Sequence, residues 1–244
     1  MPEVVVYRDG PELAAGAAAR LIAALAAAQA ARGSASVVLT GGGIGTSTLA
    51  AVAASPAVGT VDWSQVDIWW GDERFRPAGD PERNETGARK ALLDHVPADP
   101  ARVHPMPGPD GPDGEDPEAA AARYASWLEG FWRSSPEFDV LLLGIGPEGH
   151  VASLFPGKPA LHDERPVIAI TDSPKPPPVR LSMTFGTIQR ARAVWILASG
   201  LEKADAVSGA VAGLVPDQIP ASGARGTEQT LFLVDRDAAA DIPS

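Results

Sequence analysis

Short apolar runs recur along the chain at residues 4–7, 36–40, 66–70, 140–143, 167–170, 193–198 and 231–235. Most lack polar alternation, which suits strands buried on both faces of a parallel sheet. Between them lie stretches with helical spacing. Residues 11–32 are alanine-rich and carry Leu13, Ala17, Leu21 and Leu25 on one face, with Asp9 placed to cap the start and Gly33 to stop the end. Further helices are predicted over 49–54, over 84–95 with Leu92 and Leu93 inward, and over 119–132 with a stripe of Tyr124, Trp127, Leu128 and Phe131. Another begins at Gly200 and runs toward Ala212. Residues 105–117 read as an exposed acidic loop, and 173–178 as a stiff prolyl connector. Strands alternate with helices, and neither an internal repeat nor a linker separates two halves. The expectation is one α/β domain over residues 1–244, a single doubly wound, mostly parallel Rossmann-like sheet flanked by helices.

Composition narrows the function classes. A hydrophobic content of 45% is ample for a full core. The net charge of −11 argues against general affinity for nucleic acid, so an anionic ligand needs cations that are local, few and inward. With no cysteine, thiolate nucleophiles, zinc-thiolate sites and disulfide scaffolds are excluded. No run of eighteen apolar residues and no basic-then-apolar leader is present, so neither membrane insertion nor secretion is expected and the cytoplasm is the expected location.

Candidate chemistry collects where strands end. The run at 140–143 stops at Gly144-Ile-Gly-Pro-Glu-Gly-His150, which puts His150 at the carboxyl end of a central strand, where open α/β sheets bind ligands. On spacing alone, a structural histidine remains the alternative. Gly41-Gly-Gly-Ile-Gly-Thr-Ser-Thr48 follows a strand and precedes a helix; it is either an anion cradle of backbone N–H groups or a tight turn of small residues, and it lacks the Gly-Lys-Ser/Thr of a Walker loop. Gly71-Asp-Glu-Arg-Phe-Arg-Pro77 is either a surface ion-pair cluster or a site in which Asp72 works on a proton while Arg74 grips an anion. The prolyl connector could aim Lys175 and Arg180, and Lys203 in a first helical turn opposes the helix dipole unless an anion sits nearby. His95, His104 and His162 read as structural or surface residues, although residues 105–107 could fold His104 over the site.

Thr40-Gly-Gly-Gly43, Trp70-Gly-Asp-Glu-Arg74, Asn84, the stretch from Leu143 to Gly157, Arg180 and Gly200-Leu-Glu-Lys-Ala204 together resemble the 6-phosphogluconolactonase family. The resemblance runs from Val4 nearly to the end, and its superfamily also contains glucosamine-6-phosphate deaminases and isomerases. It implies a Rossmann-like fold and hydrolysis of 6-phospho-D-glucono-1,5-lactone to 6-phospho-D-gluconate in the oxidative pentose phosphate pathway, without cofactor or metal. The implied partner is the small sugar-phosphate lactone, with no nucleic acid and no membrane, in a monomer or small homo-oligomer. By the same resemblance His150 is the general base, with Glu148 or Asp72 orienting it. Gly41, Gly42 and Gly43 form the loop whose N–H groups, those of Gly42 and Gly43 foremost, meet the oxyanion. Arg74, Arg180 and Lys203 bind the phosphate, and Asn84 belongs to the substrate-binding set. The chain has Glu148 where the family often has Asp and Gly43 where Ser is frequent. It carries Ser153-Leu-Phe-Pro156 where the deaminases have Phe-Asn-Glu-Pro, which counts against a deaminase using Asp72 as a carbon base. A non-catalytic sugar-phosphate sensor would ordinarily bring a basic module, and none is visible.

Overall fold

The computed structural model describes residues 2–135 and 137–243. In chain order its strands are β1 (Glu3–Tyr7), β2 (Ala35–Leu39), β3 (Val66–Trp70), β4 (Asp72–Arg74), β5 (Phe138–Gly144), β6 (Val167–Ile170), β7 (Arg180–Met183), β8 (Ala191–Ala198) and β9 (Gln229–Asp235). Six of them form the main sheet in the order β1-β9-β8-β5-β2-β3, every neighbouring pair parallel. The continuous apolar runs reflect this: Val140 to Leu143 are each at most 1% exposed. The architecture is the expected α/β sheet flanked by helices.

A second sheet, not anticipated, lies beside it. β4, β7 and β6 pair antiparallel in that order. The run at 167–170 therefore leaves the main sheet. Only residues 171–179 separate β6 from β7, too few for the crossover that parallel neighbours need, so the chain returns antiparallel.

Helix α1 (Gly10–Arg32) has the predicted ends: Asp9 accepts a hydrogen bond from Glu12 N at 2.9 Å, and Gly33 terminates it with φ 81°. By length and composition α1 could cross a membrane. In the fold Leu13, Leu21 and Leu25 are at most 1% exposed, and the helix packs on α2 (Gly42–Ala54), β2 and β9. α2 begins seven residues before the expected start, because the glycine loop is itself the first turn. α3 (Asn84–Ala91) is shorter than predicted, since Leu92 leaves helical geometry before a 3-10 turn at Leu93–His95. In α4 (Pro117–Trp132) Tyr124 and Leu128 are buried, whereas Trp127 is 40% exposed and Phe131 only half-buried, so the stripe is narrower than expected. The loop at 105–117 is not wholly exposed either. Met106 is buried because the Arg83 guanidinium, itself buried, donates to the carbonyls of Met106 and Arg76 at 2.7 and 2.8 Å.

Two features position the site. From β2 the chain steps to β3 on one side, and β5 lies on the other, so the carboxyl ends of β2 and β5 diverge at a switch point where a crevice opens. Glu73, in β4, turns its carboxyl group away from that crevice. It accepts the backbone N–H groups of Arg74, Asn84 and Glu85 at 2.7–2.8 Å and so caps α3.

Burial pushes the Glu73 carboxyl up to about 7, against the pull of Arg83 and the three N–H groups. A carboxyl whose folded value exceeds its unfolded one binds its proton more tightly in the native state. Its contribution is complete below pH 4.5 and is lost as pH rises through about 7. Unfolding free energy from chemical denaturation should therefore fall across that window by on the order of 3 kcal/mol on account of this group. Glu73→Gln should flatten the slope; an unchanged slope in that variant would show that another group titrates.

Candidate active site

The loop after β5 is folded tightly on itself. Gly146 N donates to the His150 carbonyl and Gly149 N to the Gly146 carbonyl, both at 2.9 Å. Gly149 has φ 86°, and a Cβ at position 146 would overlap the imidazole and the Glu148 carboxylate, so both glycines are required. Ala152, two residues beyond His150, has φ 49°, the one non-glycine residue with left-handed backbone among the described residues. Such strain persists where surrounding contacts over-determine the conformation, often beside ligand sites.

The turn sets the His150 side chain, 16% exposed, in contact with Glu148, while Asp72 acts on it through its charge alone. Nδ1 lies 3.1 Å from Glu148 Oε1, but the approach is too bent for a hydrogen bond and this buried nitrogen has no aligned partner. The other Glu148 oxygen accepts from Lys175 Nζ at 2.9 Å. The Phe155 ring sits 4.7 Å from the imidazole at 32°. Burial pushes the His150 pKa below its ordinary value of 6.5; Glu148 and Asp72 pull it back while Lys175 pushes it further down. Burial alone would raise Glu148, yet the Lys175 hydrogen bond and the charges of His150 and Lys175 hold it below the usual carboxylate value.

Across the switch point, Gly41 caps α2 without a side chain, and Gly42 follows with φ 78°. The first-turn N–H groups of α2 have no intrahelical acceptor and point toward any anion at the helix end. Gly144 N donates to Thr40 Oγ1 at 3.2 Å, tying the two loops together. A Cβ on Gly41 would overlap the Asn84 amide, so this glycine is fixed by close approach.

β4 and β7 supply the charge. Their register pairs Asp72 with Ser182 and Arg74 with Arg180, which lie on one face because side chains alternate. Asn84 Nδ2 donates to the Asp72 carbonyl at 2.9 Å and to Asp72 Oδ1 at 3.2 Å, while its Oδ1 accepts from Arg74 Nη1 at 2.7 Å. Ser153 Oγ donates to Asp72 Oδ2 at 2.7 Å. Arg180, 5% exposed, donates to the carbonyls of Lys175, Pro176 and Pro177 at 3.0–3.2 Å. The prolyl connector therefore holds Arg180 by its carbonyls and delivers Lys175 to Glu148. Lys203 ends a 3-10 turn at Leu201–Lys203, just before α6 (Ala204–Ala212). Among the described residues no ion pair joins Arg74, Arg180 or Lys203 to a carboxylate. Burial lowers the pKa of both Arg180 and Lys203.

Asp72, Arg74, Asn84, Gly41, Gly42, His150, Arg180 and Lys203 line one cavity of about 200 Å³. Gly43 instead faces an adjoining depression of about 750 Å³ between the starts of α1 and α2, which shares Gly41, Gly42 and Lys203 with the cavity. Lys175 and Ala152 also line the cavity, and Ser153 stands behind Asp72. No periodicity marks these three residues; the sequence signals were the prolyl run beside Lys175 and, for Ala152 and Ser153, their place in the Leu143–Gly157 stretch that carries the resemblance. The other histidines stand apart: His104 stacks on Trp69 at 3.9 Å and contacts Asp67, His95 meets the Lys90 carbonyl, and exposed His162 meets Asp217. No group of three or more carboxylate or imidazole side chains is set to hold a metal among the described residues.

Comparison with known proteins agrees with this arrangement. The family model described as "Glucosamine-6-phosphate isomerases/6-phosphogluconolactonase" matches residues 8–233. The chain is 56% identical to a 6-phosphogluconolactonase of Streptomyces coelicolor over 99% of its own length and 95% of the relative's. It is 49% identical to that of Mycobacterium tuberculosis over 99% and 98%. The fold superimposes on the 6-phosphogluconolactonase of Trypanosoma cruzi with a TM-score of 0.87 at 25% identity, covering 100% of this chain and 98% of the other. With a matched span of nearly its whole length and the strand-end glycines, cations and histidine gathered at one crevice, the chain belongs to the glucosamine-6-phosphate isomerase/6-phosphogluconolactonase family.

Proposed function

We propose that the chain, acting as one domain, hydrolyses 6-phospho-D-glucono-1,5-lactone to 6-phospho-D-gluconate, a reading supported by its likeness to 6-phosphogluconolactonases. The observation that carries the reading is the cross-strand pair Arg74 and Arg180, joined by Lys203 around a cavity that also contains His150. Like charges on facing strand positions repel each other, and a compact phosphate dianion relieves that repulsion.

With the phosphate on these cations, the lactone carbonyl faces the strand-end loops. Nδ1 of His150 is buried against Glu148, so the accessible edge of the ring, which lines the cavity, is the one that takes a proton from water. Burial keeps the imidazole neutral near pH 7, the form a base requires. The attacking oxygen bonds to the carbonyl carbon, and the carbonyl oxygen gains the negative charge. First-turn N–H groups at the start of α2, that of the cavity-lining Gly42 foremost, stabilise it as fixed donors. As the tetrahedral centre collapses, the bond to the ring oxygen breaks and His150 returns its proton there. A lactone is already an activated ester, so base assistance of roughly 10²–10⁴-fold together with positioning accounts for turnover without a metal. Asp72 serves here as a fixed acceptor, bonded to Ser153 and Asn84. A deaminase would use Asp72 on a carbon acid, and the absence of its Phe-Asn-Glu-Pro element weighs against that reading.

His150→Ala should remove most lactonase activity above the spontaneous rate, a loss of roughly 10²-fold or more, with inorganic phosphate binding retained; activity near wild type would end the assignment. The kcat/KM of the wild-type chain should rise with pH with its midpoint below histidine's ordinary value of 6.5, because the free-enzyme imidazole loses its proton early. Lys203→Ala should raise KM by about ten-fold or more and leave kcat within a few-fold, and matched losses in both would put the lysine in the transition state instead. Turnover should persist in EDTA. Release of ammonia from glucosamine 6-phosphate would favour the deaminase.

A further inference from the structure

We infer that Lys175 is a positioning residue that holds the Glu148 carboxylate out of line with His150 Nδ1 until an anion enters the cavity. The inference deepens the lactonase reading and rests on His150 being its base. Three contacts carry it. Lys175 Nζ donates to Glu148 Oε2 at 2.9 Å, Glu148 Oε1 lies 3.1 Å from Nδ1 but out of line, and Nδ1 is buried without another acceptor. A buried ring N–H beside a carboxylate that fails to bond it is an arrangement short of its own minimum. What holds the carboxylate off line is its second oxygen, tied to the lysine.

The lysine has somewhere else to go. Its ammonium lines the same cavity as Arg74, Arg180 and Lys203, and it is close enough to Lys203 to lower that lysine's pKa. A phosphate dianion among these groups competes with Glu148 for Lys175, since charge-assisted bonds to phosphate are at least as strong as those to a carboxylate. Once Lys175 turns to the phosphate, Glu148 can rotate and accept from Nδ1 in line. That fixes the ring, keeps the proton on Nδ1 and strengthens the opposite nitrogen as a base. The groups facing His150 are Glu148 from its own loop, Lys175 from the connector between β6 and β7, Asp72 from β4 and the Phe155 ring. Asp72 is already bonded to Ser153 and Asn84, so Glu148 is the carboxylate able to move. The side chains of Lys175 and Glu148 are 41% and 35% exposed, which leaves room for the exchange.

The test is an NMR titration of the His150 ring in the full chain, with and without saturating inorganic phosphate. In the wild type the His150 pKa should rise by about one unit on phosphate binding. In Lys175→Met the rise should shrink to less than half, because Glu148 already bonds Nδ1 in the ligand-free protein, and only the direct field of the phosphate remains. Lys175→Arg should restore the wild-type response, and Glu148→Gln should reduce the rise as Lys175→Met does. An equal rise in wild type and Lys175→Met overturns the inference, as does a wild-type protein whose His150 does not respond to phosphate or whose cavity does not take it up. Lactone turnover is measured separately. A chain that turns over lactone with a Lys175-independent titration defeats this inference alone, and one that titrates as described but lacks turnover defeats the lactonase reading and leaves the coupling standing.

Discussion

The placement of Arg74 opposite Arg180 on adjacent antiparallel strands is the constraint that the surrounding structure is built to satisfy. Two guanidinium groups on one face of a strand pair repel, and burying them adds a desolvation cost. An acidic chain has many carboxylates available, yet among the described residues none forms an ion pair with either arginine, and only the charge of Asp72 acts on Arg180. Arg74 is held by the Asn84 amide and the Glu82 carbonyl, and Arg180 by three carbonyls of the prolyl connector. Carbonyl and amide dipoles orient the cations and offset part of the desolvation without cancelling the charge, which remains available to a ligand. Of the two acidic side chains on β4, Asp72 shares the arginines' face but is bonded to Ser153 and Asn84, whereas Glu73 points to the other face and is occupied in capping α3, where burial raises its pKa. Had Glu73 shared that face, it would add a second carboxylate beside the arginines and offset more of their charge.

Much of this was legible in the sequence because it rests on local signals. The uninterrupted apolar run ending at Gly144 marks a strand buried on both faces, and the glycines after it mark a loop that must turn sharply, so His150 could be placed at a strand end before any coordinates. Asp9 and Gly33 fixed both ends of α1 for equally local reasons. What stayed hidden depends on partners distant in the chain. Ser153 reaches Asp72 across 81 residues and Lys175 reaches Glu148 across 27, and no periodicity announces either pairing. β7 is four residues long, all buried, and carries an arginine and a serine, so it has neither the length nor the alternation by which a strand is recognised. The start of α2 was misplaced because glycine is a poor helix former; here the open N-terminus, and not propensity, decides which residues begin the helix.

The division of labour between the two sheets follows from their geometry. Parallel strands all release their chains at one edge, which brings the glycine loops after β2 and β5 together and aims the first turn of α2 into the crevice. Such an edge offers backbone donors and small residues but few places to fix a long charged side chain. The antiparallel sheet supplies those: β4 leaves β3 after a single residue, so Asp72 and Arg74 begin at the crevice, and β7 returns across them with Ser182 and Arg180 in register. In the proposed reaction, backbone donors for the developing oxyanion thus come from one sheet and cations for the remote phosphate from the other, with His150 between them.

This separation also explains how a chain of net charge −11 can select an anion at all. Its average surface repels polyanions, and a long nucleic acid would have to lie along that surface. A small dianion need only enter one crevice, where low-dielectric walls concentrate the field of Arg74, Arg180, Lys175 and Lys203. The acidic exterior and the cationic interior are therefore complementary filters. On the proposed reading, the first disfavours ligands by extent of charge, and the second suits those small enough to place a phosphate within about 200 Å³.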